Sequence, residues 1–90
     1  MANTQRMDIG VRDEMRTFIE DNFLYMRPDL KLEDTDQLLE LGVLDSLGFL
    51  ELVEEVHARY GISAQDVEIT EDNFGSVNAL VRFIGEKRTE

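Results

Sequence analysis

Phe49, Leu52, Val53, Val56 and Tyr60 stand at offsets of three, four, seven and eleven from Phe49, a spacing that puts them on one side of a helix and nowhere together on a strand. This stripe predicts a helix over 46–60, with Asp45 or Ser46 as its cap and Gly61 just past its last turn. Two more segments repeat the pattern. Val11, Met15, Phe18, Ile19 and Phe23 predict a first helix over 8–24, capped by Asp8 and ended by Arg27-Pro28-Asp29, because proline disfavours helix at the residue before it. Val77, Leu80, Val81 and Ile84 predict a last helix opened by Ser76 and closed by Gly85 and the charged tail. A single helical turn is expected over 70–74, and an irregular link over 62–69. Phe49, Leu52, Val53 and Val56 should be buried, and Leu47 should be more exposed than any of them. No segment alternates long enough to argue for a sheet.

The expected fold is therefore all-α, a four-helix bundle with three main helices, one short helix and a long loop between helices one and two. That loop, 30–44, carries Leu30, Leu32, Leu38, Leu39 and Leu41 among acidic residues, with one helical turn expected near 36–40. Its leucines imply that it packs down on the domain, and structured connections of this length are commonly functional. Ninety residues make one domain, 1–90, with 1–7 and 86–90 expected to fray.

The net charge is −11, from 20 acidic and 9 basic residues. That excludes a positive footprint for nucleic acid and argues against anionic membrane surfaces. It favours fast, salt-sensitive encounters with basic partners. There is no cysteine, which removes disulfides and thiolate metal sites. The one histidine, His57, lies on helix two with no serine or acid pattern aimed at it, so a surface or rim position is expected and no metal site is assigned. Residues 1–10 lack the apolar run of a signal peptide, and no apolar run is long enough to span a membrane, so a cytoplasmic location is expected.

Three serines could carry chemistry: Ser46, Ser63 and Ser76. Ser63 lies in a link and Ser76 is explained as a cap. Ser46 sits in Leu41-Gly42-Val43-Leu44-Asp45-Ser46-Leu47, where a structured loop meets the start of an amphipathic helix. The free amides and partial positive charge of a helix N-terminus suit a phosphate ester.

Asp45-Ser46-Leu47 resembles the signature of the acyl carrier proteins, in which the serine accepts 4'-phosphopantetheine. The context strengthens the likeness. A Leu-Gly pair precedes the motif, Glu51-Leu52-Val53 follows on the helix, and Phe74-Gly75-Ser76-Val77 resembles the carrier entry to the final helix, so that it spans roughly 8–85. The resemblance implies a monomeric carrier without catalytic activity, holding acyl or aminoacyl groups as thioesters on an arm attached to Ser46. The pathways it implies are fatty-acid, polyketide, aminoacyl or other specialised biosynthesis. It implies that Asp45 assists a phosphopantetheinyl transferase and that Leu47 flanks the arm. Leu47 and Leu50 would be exposed apolar contacts for partners. Glu51, Glu54 and Glu55 would form the acidic face read by the transferase, an acyl- or aminoacyl-activating enzyme and downstream acyl-processing enzymes.

Two features depart from carriers of primary fatty-acid synthesis. Gly48 stands where an acidic residue follows the leucine, and His57 and Arg59 occupy the far, usually acidic end of the helix. The Gly42-Val43-Leu44-Asp45-Ser46 form is more similar to stand-alone carriers served by an adenylating enzyme, including aminoacyl and D-alanyl carriers. Rival readings are weaker. A serine hydrolase would need an elbow around Ser46 and a base. A calcium loop starting at Asp34 is spoiled by Leu38 and Leu39 at a ligand and the glycine position. A small acidic helical interaction module without a prosthetic group shares the expected fold and is the alternative kept.

Overall fold

A computed structural model describes residues 3–88, with side chains from residue 10 onward. Among the described residues there are helices and turns and no strand. Helix α1 spans Asn3–Phe23, α2 Ser46–Tyr60, α3 Glu71–Phe74 and α4 Val77–Arg88, with one 3-10 turn at Asp66–Glu68. The four-helix architecture and the long connection between α1 and α2 are those expected.

The core is built from the stripes. Met15 and Ile19 of α1, Leu52 and Val56 of α2, Phe74 of α3, and Val77, Leu80 and Ile84 of α4 are fully buried, together with Leu38 from the connection. Phe74 is the aromatic hinge between elements, with ring centroids 6.1 Å from Phe49 and 5.0 Å from Phe83. α4 lies against α1 and α3, and α3 touches α2.

The bounds of α2 match the sequence reading, and the reasons are visible at both ends. The Asp45 carboxylate accepts the Gly48 amide at 2.7 Å, satisfying a first-turn donor that has no partner inside the helix. Gly61 adopts φ 69°, a left-handed conformation in which its amide donates to His57 O, closing the last turn. Ser76 Oγ likewise accepts the Ala79 amide at 3.1 Å and opens α4.

Four expectations need correction. α1 begins at Asn3, which places Asp8 inside the helix and not at its cap. Residues 3–7 contain neither proline nor glycine, and a helix once nucleated adds one bond per residue at little cost. α4 runs through Gly85 to Arg88; Gly85 keeps a negative φ, and the last turn is held by Lys87, whose ammonium lies 2.6 Å from Glu68 and over the Phe83 ring. Residues 3–7 and 86–88 are in helical conformation, and of the segments expected to fray, 1–2 and 89–90 lie outside the described residues. The turn expected over 36–40 is not a helix: one bond of helical type joins the Leu41 amide to Gln37 O, inside a turn centred two residues later. Val53 is half-buried, not buried, because it sits at the edge of the stripe.

The connection from α1 to α2 is ordered by polar clamps. Arg12 and Arg16 of α1 both reach Asp34, Arg12 at 2.8 Å, and Arg16 also donates to Leu32 O at 2.8 Å. From the other side, the Asn78 amide of α4 donates to Asp34 O and the Leu38 amide donates to Gly75 O. Burial pushes the Asp34 carboxyl up, but the hydrogen bonds from Arg16 and Arg12 and their charges outweigh it and hold the group below its ordinary value.

Candidate functional site

The residues before α2 form a platform. Leu38 O accepts the amides of both Val43 and Leu44, at 2.9 and 3.2 Å, while Gly42 turns the chain with φ 74°. Few side chains tolerate that φ, which is why glycine stands there. Leu38, Val43 and Leu44 are buried, so the chain is pinned from below just as it reaches the surface. Asp45 and Ser46 follow, both exposed, and Ser46 is the first residue of α2. The Ser46 hydroxyl therefore stands on a rigid element, in water, at the positive end of a helix.

A phosphate ester fits this position. The first-turn amides of Ser46 and Leu47 have no acceptor within the helix and face the end where an anion is stabilised. Asp45 is already engaged with the Gly48 amide and holds the turn in shape.

The family model described as a phosphopantetheine attachment site matches residues 23–84. The D-alanyl carrier proteins of Streptococcus thermophilus and Streptococcus sanguinis are each 32% identical over 80 residues, covering 89% of this chain and 98% of theirs. The same figures hold for the D-alanyl carrier protein of Streptococcus gordonii. The chain belongs to the phosphopantetheine-bearing carrier proteins. Its prosthetic group is covalent 4'-phosphopantetheine, which sets aside the interaction module without one.

Around the carrier's Ser46 the remaining expected residues divide. Leu47 and Leu50 are 67% and 53% exposed, so neither is packed under the connection. Among the described residues Glu51 and Glu54 are exposed and make no ion pair, whereas Glu55 is half-buried and bound by Arg59, whose Nε and Nη2 lie 2.9 and 2.6 Å from one carboxylate oxygen. Glu55 thus contributes less to an open acidic face than the other two. His57 is exposed at the rim, as expected, with Nδ1 3.2 Å from Ile62 O.

Sequence reasoning missed several neighbours. Gly48 is buried, and a Cβ there would meet the Phe23 ring at 3.1 Å. The glycine lets the end of α1 close onto the first turn of α2. Tyr25, Met26 and Leu41 are exposed apolar side chains on the two segments that meet there, joined by Arg27 Nη1 donating to Leu41 O at 3.3 Å. Exposed leucine in an acidic loop was visible in the sequence; its meeting with 25–26 depends on the fold and was not. Beside Ser46 a cavity of about 320 Å³ is lined by Leu39, Phe49, Leu50 and Ile69. Among the described residues no cluster of acidic or histidine side chains could hold a metal ion, and no helix is long and apolar enough to cross a membrane.

Proposed function

We propose that this chain is a single carrier domain that bears its arm on Ser46 and carries an aminoacyl group between an adenylating enzyme and an acceptor enzyme. The observation that carries this reading is the exposed Ser46 hydroxyl at the first residue of α2, between the capping Asp45 and the exposed Leu47. The similarity to D-alanyl carrier proteins, with Gly48, His57 and Arg59 in place of acidic residues, favours aminoacyl cargo over a fatty-acid intermediate.

Each residue has a physical part. The Ser46 oxygen attacks the pantetheine-bearing phosphorus of coenzyme A, the pyrophosphate bond breaks, adenosine 3',5'-bisphosphate leaves and the hydroxyl proton passes to the transferase. The amides of Ser46 and Leu47 stabilise the phosphodiester once formed. Asp45 keeps the first turn in register and presents Ser46 to the transferase, which brings its own metal. Leu47 and Leu50 give a partner an apolar foothold, and Glu51 and Glu54 steer basic docking patches toward it. The attached arm supplies a terminal thiol, on which the cargo is held as a thioester. The chain itself catalyses nothing, works as a monomer, and acts in the cytoplasm beside the transferase and activating enzymes.

Incubation with coenzyme A and a broad-specificity phosphopantetheinyl transferase should add the mass of one arm, and Ser46→Ala should abolish the addition. An unchanged wild-type mass, under conditions that modify a control carrier, would refute the site. Loading assays with adenylating enzymes and a panel of amino and fatty acids then test the cargo. Loading by fatty acids alone would refute the aminoacyl reading.

A further inference from the structure

In the first turn of α2, Gly48 is the residue without a side chain, and it is buried. Its φ is negative, so the backbone conformation does not call for glycine. Glycine is also the poorest helix former after proline. The reason for it lies in its neighbours. A Cβ on Gly48 would stand 3.1 Å from Phe23 Cε1, 3.3 Å from Leu44 Cδ2 and 3.3 Å from Asp45 Oδ1. Carbon atoms in good contact are about 3.5–4.0 Å apart, so a methyl group there presses on its surroundings.

The three neighbours differ in how far they can yield. Phe23 is the last residue of α1 and packs edge-to-face on Phe18, with ring centroids 5.9 Å apart. It is followed by buried Leu24, whose carbonyl accepts the Arg27 amide at 2.9 Å. Leu44 is buried in the core. Of the three, only Asp45 is exposed, and it is the residue before Ser46. Its carboxylate accepts the Gly48 amide at 2.7 Å, and its carbonyl accepts the Phe49 amide at 2.9 Å. A displacement at position 48 therefore passes to Asp45 and the adjoining serine, while the core stays in place.

We infer that Phe23 and Gly48 are positioning residues for arm transfer: the ring seated on the bare Cα sets the angle at which the first turn of α2 presents Ser46. The inference rests on the carrier reading and adds to it two residues that act through Asp45. The proposed docking residues Leu47, Leu50, Glu51 and Glu54 keep their surface, so the joint bears on kcat and leaves KM in place. A displacement of about 1 Å at a reacting atom can cost about a hundredfold in rate. A methyl group at position 48 needs roughly 0.4 Å more room at Phe23, and the expected loss is about three- to tenfold in kcat.

Arm transfer from coenzyme A by a broad-specificity phosphopantetheinyl transferase, followed by intact mass over a range of carrier concentrations, separates kcat from KM. Wild type, Gly48→Ala, Phe23→Leu and the double variant are compared, with circular dichroism to verify that each is folded. Leucine lacks the ε carbon that the added methyl group meets. One single variant thus crowds the joint, the other leaves a gap in it, and the double variant refills it. Each single variant should lose about three- to tenfold in kcat with KM within about twofold of wild type, and the double variant should return to within about twofold in both. Hydrogen exchange at the residue-48 amide should be faster in each single variant and slow again in the double. A wild-type kcat in either folded single variant, or losses that multiply in the double, would overturn the joint and leave the carrier reading standing. Should Gly48→Ala fail to fold, Phe23→Leu alone decides, and a wild-type kcat with wild-type exchange at Gly48 overturns the joint. A wild-type protein that takes no arm, where a control carrier is modified, overturns the carrier reading and the inference with it.

Discussion

The two ends of α2 are built on opposite plans. At the Tyr60 end, surface groups, some of them half-buried, are tied to one another: Arg59 to Glu55, the Tyr60 hydroxyl donating to Glu14, and Arg88 over the Tyr60 ring. Burial and the neighbouring Glu14 carboxylate push the Tyr60 phenol above its ordinary pKa, so it remains a donor throughout the physiological range. At the Ser46 end, Leu47, Leu50, Leu41, Tyr25 and Met26 are exposed, and Glu51 has no ion-pair partner among the described residues. One end spends its side chains on joining α1, α2 and α4. The other leaves them uncommitted, at the end where the proposed function has other proteins come and go. Contacts at the first end should therefore matter to stability, and contacts at the second to recognition.

The largest effect lies between the ends. Leu52 is fully buried, and Leu52→Ala should cost about 2–5 kcal/mol. Leu47→Ala should cost less than about 0.5 kcal/mol, as surface substitutions do, yet raise the KM for arm transfer. Urea unfolding alongside transferase kinetics reads both. Equal unfolding midpoints would break the assignment of buried and exposed faces.

The connection that supports the Ser46 end supplies the next test. Asp34→Asn removes the charge that Arg12 and Arg16 share and should destabilise by about 1–3 kcal/mol at neutral pH. Because the folded-state pKa of Asp34 is lowered, its contribution is complete above the unfolded carboxylate value of about 3.9 and is lost as pH falls through the folded value. The stability gap between wild type and Asp34→Asn should hold at pH 7 and 6 and narrow in acid below about 4. A gap independent of pH would mean that the arginines do not set the charge state of Asp34.

Tyr60→Phe sharpens the contrast at smaller scale. It deletes the donor to Glu14 and should cost about 1 kcal/mol, with arm-transfer kinetics unchanged, the mirror image of Leu47→Ala. Smallest is Glu51→Lys, since exposed ion pairs contribute about 0–1 kcal/mol each. It should leave the melting temperature in place, slow association with a basic partner, and flatten the salt dependence of loading. Loading rates identical to wild type at low salt would place recognition on Leu47, Leu50 and the loop instead.

What the sequence disclosed follows from which forces are local. Periodicity and capping act within one turn or two, so α2, its Asp45 and Gly61 ends and the Ser76 opening of α4 were legible. The start of α1 was missed because residues 3–7 carry no signal either to continue or to stop. Gly85 misled because a glycine inside a helix costs only about 1 kcal/mol, and Lys87 binds Glu68 from across the fold. Ser46 was legible as a candidate from its motif. The cavity beside it was not, because Leu39 and Ile69 arrive from segments on either side of α2 in the chain.

The clamps on the connection also bear on timing. Asp34 O and Leu38 N find their partners on Asn78 and Gly75, so the ground beneath Ser46 is completed only by residues some thirty positions downstream of it. A chain emerging from the ribosome exposes its serine long before it has the surface that presents it. On the proposed function, arm attachment to Ser46 follows completion of that surface, and a transferase that recognises the finished shape inspects the fold as it modifies it.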